Sequence, residues 1–371
     1  MLFYNIIQDV FYKIKRMENM KKINSINLMF TFAGCFLGAG YVSGQELWQF
    51  FGSFGKVGLI GMAISAAMLS AFGIVLTRYV QLTGISDMDK VVIKKDNKIL
   101  RGIFVALEVF FLFGVFVIMT AGVGAMLNQV FGLNPLVGSA LFTVCVALTA
   151  ICGMNGMVTA FSVTVPLLVI MSAVIFAVSG YKNGFSAIDF SISTNENPLL
   201  SNWFVSAIVF VSYNLFASIG ILTPIGKAVQ KKSTLYTGMV GGGVLLLLIA
   251  FGIMLTMAMN PESVSAQLPM LFAALSISPV FTFIFAFLLF GGMFGTSVSS
   301  VFAIDEFAKA RFRISKKVSV SLILCLSVLS FIGSIFGFDK LIGIVYPVCG
   351  YLGVAALVLI VVNFVKAKLN K

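Results

Sequence analysis

The chain has 371 residues, 60% of them hydrophobic and only 10% charged, with a formal net charge of +12. Ordinary globular domains carry about a quarter charged residues, so this composition excludes a water-soluble domain. The positive surplus invites a nucleic-acid reading, but it collects on loops of one side of a membrane, and no nucleic acid is expected as a partner. There is no histidine, which removes the commonest metal ligand and the usual near-neutral proton carrier. Cys35, Cys145, Cys152, Cys325 and Cys349 lie scattered in apolar segments without a CxxC pair. They read as small apolar fillers, not as disulfides or metal ligands.

Residues 1–24 form an N-terminal tail without the cleavage site of a signal peptide. Leu2, Phe3, Ile6, Val10 and Ile14 follow a helical apolar spacing that suits a helix along the inner leaflet. A start at Met17 or Met20 fits the same residues equally well. Ten apolar runs follow, each near the 20 residues that a bilayer core about 30 Å thick requires. The first five cover about 25–51, 56–82, 100–128, 134–152 and 156–179. The second five cover about 201–226, 234–259, 279–308, 317–336 and 340–365. Segment 260–278 is broken by two prolines and reads as a surface or re-entrant helix.

With the N-terminus inside, 22 of the 25 lysines and arginines fall on cytoplasmic segments, leaving only Lys56, Lys182 and Lys340 outside. This bias predicts an all-α, multi-pass protein of the cytoplasmic membrane with both termini cytoplasmic. Ten spans divide into repeats 25–180 and 201–365, joined by an extracellular connection 181–200 and followed by a cytoplasmic tail 366–371. An odd number of spans per repeat inverts the second half. Inverted repeats place their sites at the bilayer midplane on interrupted helices, so spans 1 and 6 are both expected to be broken.

Span 1 contains Thr31–Gly52, "TFAGCFLGAGYVSGQELWQFFG". Small residues such as Gly34, Gly38 and Gly61 serve close helix packing, but Gly38-Ala39-Gly40 followed by Ser43-Gly44-Gln45-Glu46 asks for more. Lipid offers no water to a freed amide or carbonyl, so unwound backbone survives only against protein or a cavity. Amides after such a break suit a carboxylate, and carbonyls before it suit a cation. Span 6 carries Tyr213, Asn214, Ser218, Gly220, Thr223 and Pro224 in apolar company. Among the acids, Glu46 and Glu108 lie well inside spans, with Asp305 and Glu306 near the inner end of span 8. A carboxylate within a membrane costs at least ~2.5 kcal/mol and needs a partner. Glu46 suits a substrate ammonium, a coupling cation or a proton; Glu108 suits coupling or gating, or a pairing with Arg101. In span 8, Thr296, Ser297, Ser299 and Ser300 crowd beside Gly291, Gly292 and Gly295 and offer oxygen to a hard cation.

These features resemble the amino acid–polyamine–organocation superfamily with the LeuT-type fold over nearly all of residues 25–365. "GAGYVSGQELWQFFGSFG" is similar in particular to the "GAGFASGQE" signature of the YkvI-like amino acid permeases. The resemblance implies a sodium ion held by Gly34 and Leu37 of span 1 with Met293, Thr296 and Ser297 of span 8, Ser299 or Ser300 replacing a hydroxyl if the register slips. Proton-coupled relatives carry a lysine on span 5, and span 5 has none here, which favours sodium. The second sodium site of neurotransmitter-type carriers is not matched, since Tyr41 stands near that place. A bundle of spans 1, 2, 6 and 7 would rock against spans 3, 4, 8 and 9.

The sequence thus predicts a secondary transporter of a small organic solute, an amino acid by preference, with no cofactor beyond a bound Na+. Gly38, Ala39, Gly40, Tyr41, Ser43, Glu46, Tyr213, Asn214 and Ser218 would line its substrate site. Three alternatives stay open: proton coupling, an amine or quaternary ammonium passenger bound by Glu46 with Tyr41, Trp48 and Phe50, and a receptor that binds without translocating. No nucleophile–base pair or phosphate loop points to an enzyme.

Overall fold

A computed structural model describes residues 24–85, 88–93, 98–152, 157–184, 188–190, 197–229 and 231–369. Residues 1–23, on which the leaflet helix was expected, lie outside this set. Three short helices come first: α1 (Ser25–Gly34), α2 (Ala39–Val42) and α3 (Gln45–Phe50). They are followed by α4 (Lys56–Thr83), α5 (Met88–Val92), α6 (Lys98–Phe131), α7 (Pro135–Cys152) and α8 (Met157–Asn183). The second half holds α9 (Trp203–Ala228), α10 (Lys232–Met259), α11 (Pro269–Ile277), α12 (Pro279–Phe312), α13 (Lys316–Ser334) and α14 (Phe338–Leu369).

Among the described residues nine helices are long and apolar enough to cross a membrane. The three short helices together occupy the first expected crossing. The protein is therefore a multi-pass membrane protein. Segment 260–278 forms a 3₁₀ turn, Pro261–Ser265, and the nine-residue α11, too short to span. Helix starts follow local chemistry: the Asn24, Asn202 and Ser278 side chains accept the first free amides of α1, α9 and α12. The basic residues gather at one end of the bundle, at the end of α9, the start of α10, the last turns of α12 and α14 and the start of α13. This end is called the basic side below.

The long helices sort into two packed sets. α4 packs against both α9 and α10, and α1 docks on α10. α6, α7, α12 and α13 pack among themselves, tied by the Thr120 and Ser330 hydroxyls 2.7 Å apart and by Ser139 Oγ donating to Thr120 O at 3.0 Å. α8 leans on both α10 and α12, and α14 on α4, α9 and α6, so these two helices join the sets. The sets are those expected to rock against each other, with α2 reaching across to α12 and α8.

α1 holds to its set through glycines. Leu28 and Phe32 press into α10 where Gly238 and Gly242 have no side chain. A Cβ on Gly242 would lie 2.7 Å from Phe32 Cδ1 and 2.9 Å from the Met29 carbonyl oxygen. Small residues four apart let two backbones meet where lipid supplies no hydrophobic drive between helices. Overpacking typically costs about 1–3 kcal/mol. Gly242→Val is thus expected to lower the unfolding temperature in detergent by several degrees, whereas Gly102→Val, at a glycine with open space, should leave it within a degree or two.

The expected break in span 6 is absent: α9 runs without interruption from Trp203 to Ala228. Its polar residues are accommodated by bonds to their own helix. Asn214 Nδ2 donates to Phe210 O at 3.0 Å and Ser218 Oγ to Leu215 O at 3.1 Å, which satisfies the side chains without freeing the backbone. The symmetry of interruption inferred from the sequence therefore does not hold at this helix.

Candidate functional site

Span 1 is broken twice. α1 ends in tight turns, with Cys35 N on Thr31 O at 3.2 Å, Leu37 N on Ala33 O at 3.2 Å and Gly38 N on Phe36 O at 2.9 Å. α2 then starts afresh, Val42 N bonding Gly38 O at 3.1 Å. Between them, the carbonyls of Gly34, Cys35 and Leu37 and the amides of Ala39, Gly40 and Tyr41 take no part in the described backbone hydrogen bonds. Such groups need a partner in a membrane. A Cβ on Gly34 or Gly38 would meet nothing within 4 Å, and both residues are accessible, as are Asn27 and Thr31 on the same strip of α1. A polar strip thus leads from the basic side up to the first break. Ala39 to Trp48, by contrast, are buried, so the break is sealed from the opposite side.

The second break, at Ser43-Gly44, was not anticipated. Gly44 adopts φ +85°, a conformation favouring glycine, with Met257 Sδ 3.0 Å from where a Cβ would sit. The turn frees the Ser43 carbonyl, which accepts the Met270 amide at 2.9 Å. Pro269 supplies no N–H, so Met270 is the first donor of α11, and one orphan group satisfies another. Ser43 Oγ turns back to Gly40 O at 2.9 Å.

This second turn tips α3 so that Glu46 reaches back towards the first break. A Cβ on Gly40 would lie 2.9 Å from Glu46 Oε2 and 3.7 Å from the Tyr346 hydroxyl. Glu46 is only 4% exposed. The Tyr213 hydroxyl donates to Glu46 Oε1, and the Asn214 amide lies beside the same carboxylate. Tyr213 stacks on Tyr346 with centroids 4.7 Å apart and planes at 13°, and Phe50 packs on Tyr213 at 5.5 Å. Glu46 therefore joins α3, α9 and α14. Tyr346 escaped the sequence reading; its place before Pro347 in an apolar span was its only signal.

The remaining predicted residues divide. Tyr41 is buried, and its hydroxyl donates to Leu246 O at 2.9 Å, so it ties the segment to α10. Ser218 is buried and bonded to its own helix. On α12, Thr296 Oγ1 donates to Gly292 O at 2.9 Å and Ser297 Oγ to Met293 O at 2.8 Å. A Cβ on Gly292 would lie 3.9 Å from Ala39 Cβ. Thr296 is one turn further on the same face of α12, in the direction in which span 1 runs back from Ala39 to Leu37 and Gly34. α12 thus passes beside the start of α2 at Gly292. Met293 instead points at Gly122 of α6. Ser299 is half-buried and Ser300 buried on the next turn. Glu108 is half-buried on α6, between Phe104 and Phe111, which both pack on Phe216 of α9. Near the end of α12, Asp305 (1% exposed) and the buried Glu306 share Lys309, whose Nζ lies 2.6 and 3.0 Å from them.

No family model matches the chain. YkvI, a membrane protein of Bacillus subtilis, is 23% identical over 342 residues, covering 90% of this chain and 94% of YkvI. YyaD of the same organism is 26% identical over 331 residues, covering 89% and 94%. Among solved structures, MhsT in complex with L-phenylalanine has a TM-score of 0.58 at 17% identity over 91% of this chain and 88% of MhsT. Inward-facing Mhp1 has a TM-score of 0.63 at 12% identity over 91% and 76%. A Na+-coupled sialic acid symporter has a TM-score of 0.57 at 12% identity over 95% and 91%. The chain is similar to YkvI and has the LeuT-type fold.

Two glycines test the geometry of this site. Gly44→Ala combines a left-handed backbone, about 1–2 kcal/mol for a residue with a Cβ, with the contact against Met257. Gly84→Ala has the left-handed backbone alone, φ +71° in open space. Thermal unfolding is expected to show the larger loss for Gly44→Ala. Lys309→Met leaves two buried carboxylates without the donor they share, and since that lysine is itself partly exposed the loss is about 1–3 kcal/mol, the cost of a buried acceptor left unsatisfied, read as a fall in unfolding temperature.

Proposed function

We propose that the protein is a secondary active transporter that carries a small organic solute, an amino acid by preference, across the cytoplasmic membrane by alternating access. The observation that carries this reading is the first break of span 1. It has amides and carbonyls that take no part in the described backbone hydrogen bonds, a polar strip open to the basic side and a seal on the other. A site reached from one side only is what alternating access requires of each end state. The two helix sets, joined through α8 and α14, supply parts that can rock. The likeness to MhsT, solved with L-phenylalanine, supports an amino acid. In this reading the basic side is cytoplasmic, and both termini lie there. The solute's carboxylate meets the free amides around Gly40, with Tyr213, Asn214 and Ser218 on the opposite wall.

Sodium is the coupling ion we favour, held by the Gly34 and Leu37 carbonyls and the Thr296 and Ser297 hydroxyls, oxygen donors of the kind a hard cation takes. Both hydroxyls now bond to their own helix and would keep those bonds while their lone pairs face the ion. The likeness to a Na+-coupled symporter supports the same choice.

Uptake into proteoliposomes tests the proposal. A labelled amino acid panel, offered with an inward sodium gradient, is expected to give accumulation of at least one member that collapses when the gradient is dissipated. No accumulation of any member would end the amino acid reading; accumulation driven only by a proton gradient would end the sodium reading. Thr296→Ala should raise the sodium concentration for half-maximal uptake about tenfold, equivalent to ~1.4 kcal/mol. Gly102→Ala should leave it unchanged.

A further inference from the structure

Glu46 has more to its surroundings than the transport reading uses. From α9 it meets the Tyr213 hydroxyl and the Asn214 amide, from α14 it faces Tyr346, and from its own segment it meets bare Gly40. All of these are neutral. Among the described residues no ion pair reaches it; the described pairs of the chain lie at Lys309, on the basic end of α12. Buried charges in proteins are paired or coordinate a cation, and within a membrane an acid by default marks a functional site.

The hydrogen-bond census points the same way. Glu46 has about four lone-pair positions when ionised, and the Tyr213 hydroxyl fills one of them. On the same helical turn the Gln45 side-chain oxygen is buried and accepts no hydrogen bond. Acceptors are in surplus here, and buried acceptors left without donors cost about 1–3 kcal/mol each. The stacked Tyr213 and Tyr346 rings, with Phe50 packed on Tyr213, close over the carboxylate.

We propose that Glu46 is the seat of a protonated primary amine carried by the transported solute, with Tyr213 and Tyr346 forming the wall against which that amine is held. Surplus acceptors call for N–H hydrogens, so a primary ammonium fits and a quaternary one, having none, does not. Opening of the sealed side would bare Glu46 to the arriving cation, and closing would stack the tyrosines over it. This inference rests on the transporter reading for the passenger's existence and adds its chemical class.

The test uses the purified full-length chain in detergent and thermal-shift titration. The ligands are the amino acids, the amine that each gives on decarboxylation and the acid that each gives on loss of its amino group; phenylalanine, phenethylamine and hydrocinnamate are one such set. Choline is the quaternary control. At least one amine-bearing compound is expected to stabilise the wild type while its amine-free partner does not. Glu46→Gln should bind that compound at least tenfold more weakly, ~1.4 kcal/mol, with its ligand-free unfolding temperature unchanged, and Glu46→Asp should recover part of the loss. If Glu46→Gln binds within threefold of wild type, the carboxylate holds only a proton or the fold, and the proposal is overturned. Equal binding of choline or of the amine-free acids overturns it as well, as does a complete absence of amine-bearing ligands. Should Glu46→Gln fail to fold, the wild-type ligand sets decide alone. Gradient-driven uptake of an amine-free solute would sink this inference and spare the transporter; amine binding without flux would do the reverse.

Discussion

A peptide group released from its helix inside a bilayer has nothing but protein, ion or passenger to bond to, and the arrangement of this molecule follows from that constraint at span 1. The Ser43 carbonyl finds the Met270 amide. The carbonyls of Gly34, Cys35 and Leu37 and the amides of Ala39, Gly40 and Tyr41 take no part in the described backbone hydrogen bonds, and the polar strip of α1 leads up to them at Gly34 and Gly38. One break is closed by the protein and holds it together; the other is left open and available.

The closed break has consequences for the open one. Because Gly44 turns left-handed, α3 leans so that Glu46 points back at Gly40 instead of out towards the membrane surface. The same turn brings α11 onto the second half of span 1, where Gln129 of α6 bonds both the amide and the carbonyl of Leu268, and Gln267 accepts the Phe338 amide of α14. α11 is thereby fastened to both helix sets and to a joining helix. Any movement that exposes the second half of span 1 has to release these bonds together, which makes the sealed side a cooperative unit.

Much of this was legible in the residues. Run length gave the crossings, because a bilayer of fixed thickness demands it, and Pro261 and Pro269 kept segment 260–278 from being taken for one. The first break was legible because lipid penalises glycine, serine and an acid together in one apolar run unless freed backbone and charge meet a partner there. The reading failed where the same residue types have a local solution. Asn214 and Ser218 look like a break in composition, yet each bonds a carbonyl of its own helix and α9 stays whole. The Glu46–Tyr213–Tyr346 cluster was legible only in part, since Tyr346 is far along the chain and nothing in its neighbours says what it faces. The second break hid inside the first, because sequence shows that glycines are present but not which of them turns left-handed.

The native thiol of Cys35 lies in the open break and is partly accessible, and it offers the most direct measurement. With the other four cysteines replaced by serine or alanine, its reaction with a membrane-impermeant maleimide can be followed from each side of sealed vesicles. The account predicts labelling from the basic side, slowed by the transported solute, and little from the other side in the solute-free resting state. Labelling only by lipid-soluble reagents, at a rate indifferent to every solute tried, would contradict it.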